Sequence, residues 1–164
     1  MTAVAGKEAV SGTPITTLKD QKLKDENSIN WFLYHKDNPV EQIGSIWLFQ
    51  FSNVDARISS AMLGYTLSEK YRRKGYMSEA LGAVIRFTFE KLGLQRIEAR
   101  IRISNEKSRA VVRRAGFTKV GIVRNVKWGS GDTHGIEIVE LDVWILGKEE
   151  WKAHLEGLVT TANL

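Results

Sequence analysis

The sequence contains no cysteine and only three histidines, His35, His134 and His154, in 164 residues. The absence of cysteine excludes disulfides, thiolate metal ligands and a cysteine nucleophile, and the scattered histidines argue against a histidine-based metal site. We therefore expect no metal cofactor. No apolar run approaches the ~20 residues of a membrane span, so we expect no membrane partner. The N-terminus lacks a basic segment followed by an apolar one, which predicts a cytoplasmic protein.

The composition is that of one soluble globular domain, with 43% hydrophobic and 26% charged residues. Residues 1–14 are small and polar and predict a flexible tail, which leaves residues 15–164 as a single domain. The net charge of +5 is compatible with an anionic ligand, an acidic substrate or nucleic acid. Solubility alone explains this charge equally well.

Hydrophobic patterning predicts strands, helices and their order along the chain. A Lys-, Asp- and Glu-rich segment at 15–27 predicts a short helix. Aromatic and β-branched runs at 29–34 and 43–51 predict a β-hairpin, because Asp37-Asn38-Pro39 between them is typical of a turn. Apolar residues on both faces of the second run indicate a central strand.

In the rest of the chain, segments with the two-residue period of a strand alternate with segments that have the 3.6-residue period of a helix. Strands are predicted at 61–67, 97–103, 117–128 and 135–146, and helices at 77–92, 104–115 and 148–158. Gly93 and Gly116 supply helix stops. The polar face of the strand at 97–103 predicts a solvated or ion-paired surface more readily than a nucleic-acid site. This order predicts an α+β protein with a mixed, mostly antiparallel sheet flanked by helices.

A basic turn, Arg72-Arg73-Lys74-Gly75, lies between the strand at 61–67 and the helix at 77–92. A helix N-terminus has unsatisfied amides and a partial positive charge, and glycine lets the backbone approach an anion closely. The turn therefore predicts a phosphate site. Taken alone, such a turn is more often only a solvated connection.

Asn105 and Ser108 open the next predicted helix. Asn105 is a suitable N-cap, and Ser108 belongs to the first helical turn, so both have a structural explanation. Their order after the basic turn, and before Gly116-Phe117, suggests a ligand-binding role instead.

Several short stretches together resemble the GNAT family of N-acetyltransferases, and specifically its RimJ/RimL-type branch. The resemblance rests on Ile43-Gly44-Ser45-Ile46, Gly64-Tyr65-Thr66-Leu67, the run 71–81, Leu92-Gly93-Leu94-Gln95-Arg96-Ile97-Glu98, Asn105 to Ser108, Ala115-Gly116-Phe117, Gly121-Ile122-Val123-Arg124 and Glu149-Glu150-Trp151. It implies the GNAT acyl-CoA N-acyltransferase fold. It also implies direct acetyl transfer from acetyl-CoA to a primary amine, either a protein N-terminal α-amino group or a small molecule, within a ternary complex.

The resemblance also implies the coenzyme site. The pyrophosphate would bind Arg72, Arg73, Lys74, Gly75, Tyr76 and Met77, with Ser78 beginning the helix contacts, a backbone amide near Leu67 would polarise the thioester, and Asn105 would bind the pantetheine arm. The family commonly has glycine where Arg73 stands. A tyrosine common four residues after Ser108 is replaced by Val112, so Ser108 is the candidate for stabilising or protonating the leaving thiolate.

The general base is less defined, because the glutamate of the RimL-type branch aligns with Lys127. Glu137 is our candidate, with Glu140, Asp132 and His134 as alternatives around the last hairpin, and a water chain could also serve. Lys127 could instead favour an acceptor with an acidic group.

The strand and helices with which the family's fold begins are reduced here, since none is recognisable before Ile29. An unpaired sheet edge would favour a homodimer. The alternative function is a non-catalytic module that binds coenzyme A or nucleic acid on the same fold. Nucleic acid is the less favoured ligand, because no aromatic-rich basic stripe is visible.

Overall fold

The computed structural model describes the backbone of residues 15–21, 28–35, 37–53, 59–128 and 136–162, and side chains at 28–35, 37–52, 59–125 and 138–157. The chain divides into two compact units, Met1–Gln95 and Arg96–Leu164. The predicted tail, residues 1–14, lies outside the described residues. That residues 15–164 form one domain stays a prediction.

Within its described ranges, the first unit contains four strands that pair in chain order, each antiparallel to the next: β1 (Ile15–Gln21), β2 (Ser28–His35), β3 (Asn38–Asn53) and β4 (Ser59–Leu67). The predicted hairpin is confirmed as β2 and β3. The central position of β3, between β2 and β4, is confirmed as well.

Strand β1 contradicts two predictions about the N-terminal region. Ile15–Gln21 is a strand, so a helix there is wrong, and a strand does precede Ile29. Pairing with β2 decides the conformation, since Leu18 lies opposite Leu33. The β-branched run Ile15-Thr16-Thr17 also favours a strand. Residues 22–27 lie outside the described residues.

The helix of the first unit is α1 (Tyr76–Glu90), close to the predicted bounds. Its buried stripe includes Leu81, Val84, Ile85 and Phe89, which matches the 3.6-residue period. The helix contacts β1 and β3, and Phe87 meets Trp31 of β2 edge to face at a centroid distance of 5.7 Å. Gly93, at φ 70°, lies just beyond the helix end, as predicted.

In the second unit, the described residues form three strands and two helices: β5 (Arg96–Arg102), α2 (Glu106–Arg114), β6 (Thr118–Trp128), β7 (Ile136–Gly147) and α3 (Lys148–Ala162). Strand β7 lies between β5 and β6 and is antiparallel to both. These elements confirm the predicted α+β class with a mostly antiparallel sheet.

Strand β5 shows how alternation translates into burial. Ile97, Ala99 and Ile101 are buried, whereas Arg100 lies at the surface and pairs with Glu98 at 2.7 Å. The prediction of an ion-paired polar face is therefore confirmed. Among the described residues, no helix is long and apolar enough to cross a membrane.

Candidate active site

The turn between β4 and α1 reverses the chain within nine residues of sequence, 67–75. The amide of Ser68 donates to the carbonyl of Ile43 at 2.8 Å, and a short 3-10 turn follows at Glu69–Tyr71. Arg73 and Gly75 then adopt left-handed backbone, with φ 63° and 85°. Because of these two residues, α1 begins beside the C-terminal end of β4.

The N-terminus of α1 is uncapped within the described part of the chain. Gly75 is the N-cap residue and offers no side chain, while its carbonyl already accepts the amide of Glu79 at 3.1 Å. A Cβ placed at Gly75 would meet no atom within 4 Å. An uncapped helix start beside open space at Gly75, at the positive end of the helix dipole, is the geometry of an anion site.

Exposed cations surround this helix end, as the sequence predicted. Arg72, Arg73 and Lys74 are all exposed, and so is Ser78. The Nε of Arg72 donates to the carbonyl of Leu67 at 3.1 Å, and its guanidinium lies 3.6 Å from Glu69. The fold thus brings the predicted residues from Leu67 to Ser78 together, with Arg72 fastening the turn to the end of β4.

Tyr76 and Met77 differ from their neighbours because both are buried. The hydroxyl of Tyr76 and the Nε2 of His35 share a hydrogen bond of 2.9 Å, and the Tyr76 ring lies 5.5 Å from the imidazole. Only the main chain of these two residues can contact a ligand at the turn. The Tyr76 side chain instead anchors α1 to β2 through His35.

Glu41, at the start of β3, holds the turn from a second direction. It forms an ion pair with Lys70, accepts from the Tyr71 hydroxyl at 2.8 Å and accepts from Asn38 at 3.2 Å. The bond from Lys70, followed by that from Tyr71, lowers the pKa of Glu41 below its ordinary value. The same carboxylate raises the pKa of both Lys70 and Tyr71.

Neither Glu41 nor His35 is among the residues that the sequence predicts for the site. His35 directly precedes the predicted turn region, and Glu41 is one of 19 acidic residues in the sequence. In the sequence, Glu41 stands out only as an acid between a predicted turn and an apolar strand. Its pairing with the cation-rich segment after β4 becomes visible only once the antiparallel register of β3 and β4 is known.

In the second unit, Asn105 caps α2, as its structural interpretation predicts. The side-chain oxygen of Asn105 accepts from the amide of Ser108 at 3.1 Å. This bond uses the main chain of Ser108, so it leaves the role of the hydroxyl as a separate question. Val112, at the family's tyrosine position, is fully buried. A polar group there would face the protein core, which agrees with the absence of the tyrosine.

An open cavity of about 450 Å³ lies beside the end of β5. It is lined by Arg102, Ile103, Ser104, Arg124, Ile138, Val139 and Glu140. Arg124 pairs with Glu140 at 2.9 Å. With both charges and exposed isoleucines, the cavity offers partners for a polar group carried on an apolar stem.

The candidate bases divide into one with a described side chain and three without. Glu140 lines the cavity, whereas the side chain of Glu137 lies outside the described residues, as do Asp132 and His134. The backbone of Glu137 lies opposite that of Lys127 on the paired strands β7 and β6. No group of three or more candidate metal ligands occurs among the described residues.

A comparison with protein families decides the wider assignment. The model of the acetyltransferase (GNAT) domain matches residues 8–118. The chain belongs to the GNAT acetyltransferase family. The resemblance stated from sequence and the predicted GNAT fold are therefore confirmed.

Individual GNAT relatives agree with this assignment. The chain is 36% identical over 114 residues to the probable N-acetyltransferase YjcK of Bacillus subtilis, covering 69% of this chain and 61% of YjcK. It is 35% identical over 119 residues to the [ribosomal protein uS5]-alanine N-acetyltransferase of Escherichia coli, covering 72% of this chain and 52% of that protein.

A solved GNAT structure is similar as well. Mycobacterium smegmatis RimJ in complex with CoA-disulfide superposes with a TM-score of 0.62 at 25% identity, covering 76% of this chain and 55% of RimJ. The matched region thus spans 61% or less of the length of these three relatives.

The positive φ of Arg73 gives a first prediction. A side chain in the left-handed region costs about 1–2 kcal/mol, and glycine removes that cost at the expense of about 0.5–1 kcal/mol of chain entropy. Arg73→Gly should therefore be more stable to urea unfolding than Arg73→Ala by up to about 1.5 kcal/mol. Both variants remove the same charge, so an Arg73→Gly protein less stable than Arg73→Ala by about 0.5–1 kcal/mol, the entropy cost alone, would show that the residue is unstrained.

The lowered pKa of Glu41 gives a second prediction. A carboxyl whose pKa is lower when folded contributes stability above its unfolded pKa and loses it as the pH falls through the folded value. The free energy of unfolding, measured with urea from about pH 6 to about pH 3, should therefore fall more steeply with decreasing pH in the wild type than in Glu41→Gln. Glu90→Gln, at the exposed end of α1, removes the same charge and should retain the wild-type dependence of the free energy of unfolding on pH. A Glu41→Gln slope equal to that of the wild type would contradict this role.

Proposed function

We propose that this GNAT protein is an acetyl-CoA-dependent N-acetyltransferase that transfers the acetyl group directly to a primary amine. The observation that carries the proposal is the uncapped N-terminus of α1, which begins at left-handed Gly75 and is surrounded by Arg72, Arg73 and Lys74. The names of the relatives support the reaction class. The coenzyme found with Mycobacterium smegmatis RimJ supports the donor.

The residues of the turn fit a pyrophosphate. Main-chain amides of Tyr76, Met77 and Ser78 are available as donors at the start of α1, and the space beside Gly75 is open. Arg73 and Lys74 would add charge, while Arg72 would bind the anion and keep its bond to the Leu67 carbonyl. A side chain in the space beside Gly75 would interfere with such a ligand.

Acetyl transfer makes three demands on the protein. The amine must arrive neutral, because its lone pair attacks the thioester carbon, and a carboxylate or water must take the displaced proton. Glu137 is our candidate for that base, with Glu140 as the cavity-lining alternative. The oxygen of the tetrahedral intermediate needs a backbone donor, for which the amide near Leu67 is our candidate. The C–S bond then breaks, and the leaving thiolate needs a hydrogen bond or proton.

We assign that last role to Ser108, and the binding of the pantetheine arm to Asn105. A serine hydroxyl of ordinary acidity can donate a hydrogen bond to a thiolate without complete proton transfer. The acceptor is a primary amine, either on a protein N-terminus or on a small molecule. The cavity with Arg102, Arg124 and Glu140 favours an amine that carries both polar and apolar groups.

Coenzyme binding is the first test of this function. Acetyl-CoA at a hundred times its dissociation constant should stabilise the folded protein by ~2.7 kcal/mol, measured as a thermal shift. Gly75→Asp should bind roughly tenfold more weakly than Gly75→Asn, because only Asp brings a negative charge to the phosphates. Asn is the matched control, since it tolerates left-handed backbone and has nearly the same size. No shift at millimolar acetyl-CoA would sink the proposal.

The role of Ser108 is tested by turnover. Ser108→Ala should lower the rate of thiol release from acetyl-CoA with an amine panel by about tenfold or more, with little change in coenzyme affinity. The helix cap survives, because it uses the Ser108 amide. Ser108→Thr retains a hydroxyl and should retain part of the activity. Unchanged turnover in Ser108→Ala would limit this serine to its place in the helix cap. Coenzyme binding without acetylation of any amine would favour the binding-module alternative.

A further inference from the structure

Asp142 is a fully buried acid in the middle of β7, between Leu141 and Val143. Its Oδ2 lies 2.9 Å from the Nε of Arg109 on α2, and its Oδ1 lies 2.6 Å from the Nζ of Lys119 on β6. Neither carboxylate oxygen has a partner with hydrogen-bond geometry among the described residues. Charge attraction from two cations therefore compensates for the burial of this carboxylate.

Arg109 makes contacts that Lys119 does not. Its NH1 donates to the carbonyl of Ile103 at 3.2 Å and to Glu106 at 2.6 Å. One guanidinium therefore links β7, the residue just after β5 and the first turn of α2. Because a guanidinium is planar and rigid, holding it against Asp142 also fixes where its other nitrogens point.

The segment that Arg109 holds is the β5–α2 junction, defined here as residues 103–108. Its backbone is closed by the Asn105 amide donating to Arg102 at 2.8 Å and the Arg109 amide donating to Asn105 at 3.1 Å. Asn105 and Ser108, assigned to the donor in the proposed function, both belong to it. Movement of this junction would displace both residues together.

A contribution to stability does not by itself explain a buried carboxylate paired with Arg109 and Lys119. Buried ion pairs often contribute little net stability, because desolvation of the charges offsets their attraction. What the pair does specify is geometry. A catalytic group must be held closely, and a displacement of ~1 Å can cost about a hundredfold in rate.

We propose that Arg109, held by Asp142, is a positioning residue that fixes the β5–α2 junction for donor binding. Lys119 balances the second carboxylate oxygen and has no part in the positioning. This inference rests on the proposed function, because it takes the donor as the ligand of Asn105 and Ser108.

The test compares Arg109→Met with Lys119→Met. Each variant removes one cation from the same buried carboxylate, but only Arg109→Met removes the bond to the Ile103 carbonyl. Calorimetric titration with coenzyme A should show a dissociation constant raised at least about tenfold in Arg109→Met and less than about twofold in Lys119→Met. Amide hydrogen exchange over residues 104–108 should accelerate only in Arg109→Met.

Arg109→Lys covers the case in which Arg109→Met does not fold. It keeps a positive charge near Asp142 but lacks the fork that reaches the Ile103 carbonyl, so it should fold and still bind coenzyme A weakly. Equal affinities and exchange rates in the Met variants, or wild-type affinity in Arg109→Lys, would overturn the positioning role. A wild-type protein that binds no coenzyme A would instead overturn the proposed function.

Discussion

The left-handed backbone at Gly75 is the constraint on which the proposed donor site depends. It ends the turn after β4 and starts α1 without a side-chain cap, so the first amides of the helix remain available. Neighbouring contacts preserve this geometry: Arg72 is bonded to Leu67, Tyr71 to Glu41, and Tyr76 to His35. The side chains of this region therefore act mainly on the backbone. In the proposed function, the backbone and the exposed cations bind the phosphates.

In the second unit, a charged pair rather than backbone geometry holds the segment assigned to the donor. The junction after β5 has few apolar anchors, since Ile103 is partly exposed and Ser104 and Asn105 are exposed. The Ile103 amide donates to the Glu140 carbonyl of β7 at 3.3 Å, and a buried carboxylate on β7 supplies a second anchor through Arg109. Such an anchor is directional, because the planar guanidinium has donors at fixed angles.

The sequence predicted the elements whose side-chain period was clear, and α1, β5 and the hairpin of β2 and β3 are confirmed. Strand β1 was missed because Ile15 and Leu18 have helical spacing, whereas pairing with β2 decides the conformation. The basic turn was predicted from local chemistry, but the strain at Arg73 was not, because a φ angle leaves no mark in composition. Asp142 did leave a signal, as an acid within an apolar strand, although its partners depend on tertiary packing.

In the proposed function, the phosphates of the donor bind at the N-terminus of α1. A crystal structure of the protein with coenzyme A tests that placement most directly. We predict pyrophosphate oxygens within about 3 Å of the amide nitrogens of Tyr76, Met77 or Ser78, with the Gly75 backbone beside them. An ordered coenzyme whose phosphates lie away from the N-terminus of α1 would contradict it.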